Sequence, residues 1–158
     1  MLFRSQAIVL NFASGQEAGG GFKWGAAPQE EELCRTFPGL YGSLEEAQRA
    51  QLYPFGPPAG NYDVLVTRDV QCRRWGAERN YSFMPEEEWF SAHIISAAAP
   101  RRHDPNDDDA AYLPILKNVL ETAREMRADQ PTALILGDRK STRLNSSHSQ
   151  QSRMPSSA

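Results

Sequence analysis

Short apolar runs and amphipathic stretches take turns along this chain, punctuated by glycine and proline. AIVLNFA (Ala7 to Ala13) is an apolar run that closes on a glycine-rich loop, the pattern of a buried strand. The loop runs from Gly15 to Ala27. PQEEELCRTF then opens a helix, with Pro28 at its start and acids in the first turn, where the helix dipole favours them. SLEEAQRAQL (Ser43 to Leu52) predicts a second helix, with Ser43 as N-cap and Glu46 completing a capping box. YPFGPPAGNY is turn and loop, and YDVLVTRDVQC is a strand with a break near Asp69. Arg73 to Met84 is ambiguous. PEEEW is a polar lead-in to another apolar strand, FSAHIISAAA, stopped by Pro100. After the charged loop RRHDPNDDD, AAYLPILKNVLETAREMRA is an amphipathic helix with Leu116, Val119, Leu120, Ala123 and Met126 near one face. TALILG reads as a short buried strand. No internal repeat is visible. Buried strands alternating with helices place the chain in the α/β class.

One loop–helix junction carries candidate chemistry: GGGFKWGAAPQEEELC, from Gly19 to Cys34. Three glycines after a strand let the backbone approach a ligand closely and turn several N–H groups inward. The helix start that follows adds positive dipole character, so the junction suits a phosphate or diphosphate. Alone, a glycine triplet is more often a flexible connector, and an acidic first turn more often a solvated one. Together they differ. Glu30, Glu31 and Glu32 point about 100° apart around a helix, so they cannot all face solvent equally. A carboxyl set beside bound phosphate and another carboxylate is held protonated more readily and can act as a general acid. A phosphate cradle with a proton donor suits cleavage of a glycosidic bond in a nucleotide sugar.

Both ends of the chain change what composition means. DRKSTRLNSSHSQQSRMPSSA (Asp138 to Ala158) has no apolar periodicity and resembles the in-frame translation of a sequencing adapter, and Leu2 to Ser5 (LFRS) resembles the same chemistry. The expected domain is therefore residues 6–137, with 1–5 and 138–158 adapter-derived and disordered. Within 6–137 there remain 12 basic and 19 acidic residues, a net charge of −7. That balance argues against a bulk electrostatic grip on DNA or on an anionic membrane. No apolar run approaches membrane-spanning length. Cys34 and Cys72 lack metal-ligand spacing and read as free thiols of an intracellular, cytoplasmic protein, nuclear if the host is eukaryotic.

The pattern GGG, a short spacer and QEE(E) resembles the signature of microbial-type poly(ADP-ribose) glycohydrolases. VLNFAS before the glycines, LCRTFPGLYGSL after the glutamates and HIISAAAP further on are similar to that family's strand, helix and strand. The resemblance implies a macrodomain-like mixed sheet flanked by helices, and hydrolysis of poly(ADP-ribose) or of ADP-ribosylated protein. It implies Glu31 as catalytic acid, with Glu30 orienting ribose hydroxyls. Gly19, Gly20 and Gly21 would lie along the diphosphate and distal ribose, with Gln29 supporting and Asn11 at the floor of the site. No metal or cofactor is required by that chemistry. In the family, the strand resembling TALILG runs into a second glycine-rich loop. Here Asp138 begins the adapter-like stretch, so the expectation is a domain truncated at both ends with impaired activity.

Other features read more plainly. Glu32 is expected to be solvated, His93 to be a packed histidine, Cys34 a small buried hydrophobe, and HDPNDDD (His103 to Asp109) a solvated loop rather than a cation site. Trp24, Trp75 and Trp89 read as packing side chains, Trp24 being of most interest for its place between glycines and glutamates. Arg68, Arg73 and Arg74 could guide an anionic polymer, against which the net charge argues. Two alternatives stay open. One is a different ADP-ribosyl hydrolase or a non-catalytic ADP-ribose-binding module on the same fold. The other is a structural or interaction protein whose glycine loop is a connector.

Overall fold

A computed structural model describes residues 6–100, 112–127 and 131–137. The HDPNDDD loop and the adapter-like ends lie outside the described residues. Among the described residues the strands and α-helices are, in order, β1 (Gln6–Ala13), α1 (Gln29–Thr36), α2 (Pro38–Arg49), β2 (Leu65–Cys72), β3 (Phe90–Ala98), α3 (Leu113–Met126) and β4 (Thr132–Ile135). The strands form one mixed sheet in the order β2-β3-β1-β4. β1 runs parallel to both β3 and β4, while β2 is antiparallel to β3. Helices cover both faces, as the α/β pattern predicts.

Strand alternation divides the core. On one face of β3, Ala92 and Ile94 meet Val70, Cys72, the helix residues Cys34, Leu40 and Leu44, and Phe37 at the junction of α1 and α2. On the other, Ile95 and Ala97 join Ile8 and Leu10 of β1 against Ile115, Val119, Ala123 and Met126 of α3. β3 is buried from Ala92 to Ala98 because it has strand neighbours on both sides and helices above and below. The break foreseen near Asp69 is a β-bulge between Thr67 and Val70, with Asp69 at a left-handed φ of 52°. Its backbone N–H donates to Nδ1 of the buried His93 at 3.0 Å. His93 is thus a packed histidine, as expected.

Three sequence expectations need correction. The second helix begins at Pro38 rather than at Ser43. Proline suits the first helical position, where its missing N–H costs nothing. Ser43, now inside the helix, shares a hydrogen bond with Thr67 Oγ1 of β2 at 3.0 Å instead of capping. On α3, Leu116 and Leu120 are 41% and 47% exposed, and the sheet-facing stripe is Ile115, Val119, Ala123 and Met126. TALILG is not buried: among the described residues β4 is an edge strand, and Ile135 and Leu136 are half exposed.

Among the described residues no helix is long and apolar enough to cross a membrane. The α3 correction is testable. Ile115→Ala should lower unfolding free energy by about 2–5 kcal/mol through the cavity it leaves. Leu116→Ala should shift it by no more than about 0.5 kcal/mol. Urea denaturation of the two variants, followed by circular dichroism, checks both values. Similar losses would put Leu116 back in the core.

Candidate functional site

The carboxyl ends of parallel β1 and β3 lie side by side, the usual place for a ligand site in an open α/β sheet. Asn11 pairs with Ser96 in that register, and alternation turns both toward the α1 face. Asn11 Nδ2 donates to Ser96 Oγ at 3.0 Å and to Glu30 Oε1 at 3.3 Å. Glu30 Oε2 accepts the Ser14 backbone N–H at 2.8 Å, just past the end of β1. Gln29 pins α1 to the same strand from both ends of its amide. Its Oε1 accepts the Phe12 N–H at 2.7 Å and its Nε2 donates to the Leu10 carbonyl at 2.8 Å. The first residues of α1 are therefore stitched to the end of β1.

Glu31 engages the glycine loop instead. The Gly21 N–H donates to Glu31 Oε1 at 2.7 Å. Glu31 Oε2 is buried without a hydrogen-bond partner, and so is Asn11 Oδ1. The triplet approaches so closely that a Cβ on Gly20 would stand 2.8 Å from Glu31 Oε1 and 3.0 Å from Glu30 Oε2. Gly19 and Gly20 also hold left-handed φ values of 69° and 52°, which a side chain would strain. The glycines are here a close-approach device, with φ and space both requiring them.

The sequence brings together every residue it nominated: Asn11, Gly19, Gly20, Gly21, Gln29, Glu30 and Glu31 occupy one junction. The electrostatics differ from expectation in their cause. Glu30 is 3% exposed, and burial pushes its carboxyl up to about 7, with hydrogen bonds from Ser14 and Asn11 opposing and the charge of Glu31 the smallest contribution. Desolvation outweighs repulsion between the carboxylates. Burial also pushes the Cys34 thiol up to about 12, so it stays a neutral packing group.

Glu32 is not simply solvated: its Oε1 accepts the Tyr81 hydroxyl at 3.1 Å. Trp24 does not pack; it stands 82% exposed on the loop between glycines and glutamates. Trp75 and Trp89 are partly buried against the core, as expected. Arg73 and Arg74 stack on Trp89 and Phe83, with 4.7 and 3.8 Å from guanidinium carbon to ring centre. Three contributors escaped sequence reading. Ser96 was legible only as the polar residue facing Asn11 once register is known. Ser14 acts through its backbone, which leaves no sequence signal. Gly137, past β4, comes to the site too, since a Cβ there would meet Gln29 Nε2 at 3.0 Å. Among the described residues no group of three or more His, Cys, Asp or Glu could hold a metal ion.

The model of the microbial-type PARG catalytic domain, PARG being poly(ADP-ribose) glycohydrolase, matches residues 2–59. That stretch holds β1, the glycine loop, α1 and α2, and it takes in Leu2 to Ser5, which resemble adapter. The fold is similar to the crystal structure of PARG from Thermomonospora curvata, at 30% identity and a TM-score of 0.64, covering 77% of this chain and 45% of that one. The same enzyme bound to the inhibitor ADP-HPD matches at 30% identity and a TM-score of 0.63, with 77% and 47% covered. PARG from Deinococcus radiodurans in complex with ADP-ribose matches at 29% identity and a TM-score of 0.62, with 84% and 53% covered. The chain spans about half the length of these relatives. No curated protein matches the sequence.

The burial of Glu30 has a consequence for stability. A carboxyl raised from 4.5 to about 7 on folding holds its proton more tightly in the folded state. The stability this confers is fully present below the unfolded value and is lost as pH rises through the folded one. Unfolding free energy should therefore fall with pH over that window, by up to about 1.4 kcal/mol per unit from this group. Glu30→Gln removes the titration, and urea midpoints measured near pH 5 and pH 7.5 should converge relative to the unmodified chain. An unchanged slope would mean that Glu30 is not the group responsible.

Proposed function

From the premise that this chain carries the fold and the amino-terminal signature of the microbial-type PARG catalytic domain, we propose that its parent protein hydrolyses the ribose–ribose O-glycosidic bonds of poly(ADP-ribose) and releases ADP-ribose. The observation that carries the reading is the 2.7 Å bond from the Gly21 N–H to Glu31. It ties a loop suited to a diphosphate directly to a buried carboxyl suited to acid catalysis. The Deinococcus structure, similar in fold, holds ADP-ribose.

In this reading, Gly19, Gly20 and Gly21 lie along the diphosphate and distal ribose. Glu31 keeps Oε1 on the loop and offers its unpartnered Oε2 to the substrate. Protonated Glu31 gives its proton to the leaving ribose oxygen as the bond from the anomeric carbon breaks, and the bonding pair stays with that oxygen. The distal ribose becomes oxocarbenium-like. Water adds to it and loses a proton, which returns the carboxyl to its acid form. Glu30, fixed by Ser14 and Asn11, orients ribose hydroxyls. Gln29 holds the helix start against β1, and Asn11 forms the floor. Glu31 serves as acid because one of its oxygens has no hydrogen-bond partner, whereas both oxygens of Glu30 already accept hydrogen bonds. The substrate is the polymer or an ADP-ribosylated protein.

Glu31→Gln tests the assignment in the parent protein. Glutamine keeps an acceptor for the Gly21 N–H but has no proton to give. Polymer hydrolysis should fall by about a hundredfold or more, while ADP-ribose affinity measured by calorimetry stays largely unchanged. Hydrolysis at the original rate would remove Glu31 from the acid role.

A further inference from the structure

Arg35 lies one helical turn after Glu31 on α1, and its guanidinium returns to the same loop. Nη2 donates to the Ala26 carbonyl at 2.5 Å. The group is flanked by two rings, Phe22 at 5.7 Å and Tyr81 at 5.5 Å from guanidinium carbon to ring centre. Phe22 follows the glycine triplet directly, and its ring rests on Tyr41 at 4.7 Å. Tyr81 reaches α1 again through its hydroxyl on Glu32.

Hydrogen bonds close these contacts into a ring. Arg35 holds the Ala26 carbonyl; the Ala26 N–H donates to the Gly21 carbonyl at 3.2 Å; and the Gly21 N–H donates to Glu31. Glu31 and Arg35 are four residues apart on the same helix, so the ring starts and ends on one helical face. The loop between them is short, and its own side chains hold it toward α2, through Phe22 on Tyr41 and Lys23 on Glu45 at 3.2 Å, rather than toward Glu31. Nη1 of Arg35 is buried with no hydrogen-bond partner, so one hydrogen bond and two ring faces set the guanidinium's position.

We propose that Arg35 is a positioning residue that clamps the glycine loop onto Glu31, acting through Ala26 and without touching substrate. A planar guanidinium can lie between two rings and still donate in its own plane, whereas lysine cannot do both. The proposal extends the glycohydrolase reading of the site, but the clamp itself can be measured without ligand.

The test is amide hydrogen exchange in the full 158-residue chain carrying Arg35→Met or Arg35→Lys. The amides of Gly21, Phe22, Trp24 and Ala26 should exchange about tenfold faster or more in both variants, while those of Ile94 and Ile95 keep their protection. A general structural role would loosen the β3 amides as well and would overturn the proposal, as would unchanged exchange in the loop. If Arg35→Met does not fold, Arg35→Lys decides by the same comparison. ADP-ribose is then titrated into the parent protein as a separate arm. Absence of binding there counts against the glycohydrolase reading, while the exchange result still decides the role of Arg35.

Discussion

The site depends on a lack of space. Around Gly20 there is no volume for a β-carbon between the glycine loop and the carboxylates of Glu30 and Glu31. Only a chain without side chains there can come close enough for the Gly21 N–H to reach Glu31. Given that contact, the remaining features follow as support. A carboxylate removed from water is costly unless donors replace the water it loses. Backbone N–H groups from Gly21 and Ser14 and the amide of Asn11 supply those donors. The glycines thus set the shape of the loop and also help to make two adjacent buried acids tolerable.

The sheet supplies the rigid reference. Asn11 and Ser96 face the same side because parallel β1 and β3 are in register at that pair, at the end of two strands packed on both faces. Gln29 then fixes the start of α1 to β1 through two hydrogen bonds. The acids sit on a helix whose first turn cannot drift relative to the strand ends. The loop is held to α1 by Glu31 at one point and Arg35 at another, and to α2 by Lys23 on Glu45 and Phe22 on Tyr41. The stretch matched by the family model runs from β1 through α2 and contains Asn11, the glycine triplet and the glutamates, while Ser96 of β3 lies beyond it.

Much of this junction was legible before the structure, because its signal is local. Glycine triplet, spacer and glutamates lie within one short stretch, and each has a physical reason for its residue type. The errors came where tertiary context decides. Pro38 and Gly39 look like a helix break, yet proline opens α2 and Gly39 packs beside Val70 of β2. On α3 the apolar arc is wider than the face the sheet covers, so sequence alone does not choose between Ile115 and Leu116. The apolar run of β4 gave no sign that it lies at an edge. Ser96, Arg35 and Tyr81 reach the site from other turns or distant elements, and no local pattern marks them.

The central claim is that the glycine loop and Glu31 form one ligand-binding unit. The most direct measurement follows the backbone amide resonances of Gly19, Gly20 and Gly21 while ADP-ribose is titrated into the parent protein. The account predicts saturable shifts at these three amides, with the Gly21 resonance also responding to Glu31→Gln before any ligand is added. Ligand binding that leaves the glycine amides unmoved, or a Gly21 resonance indifferent to Glu31, would contradict it.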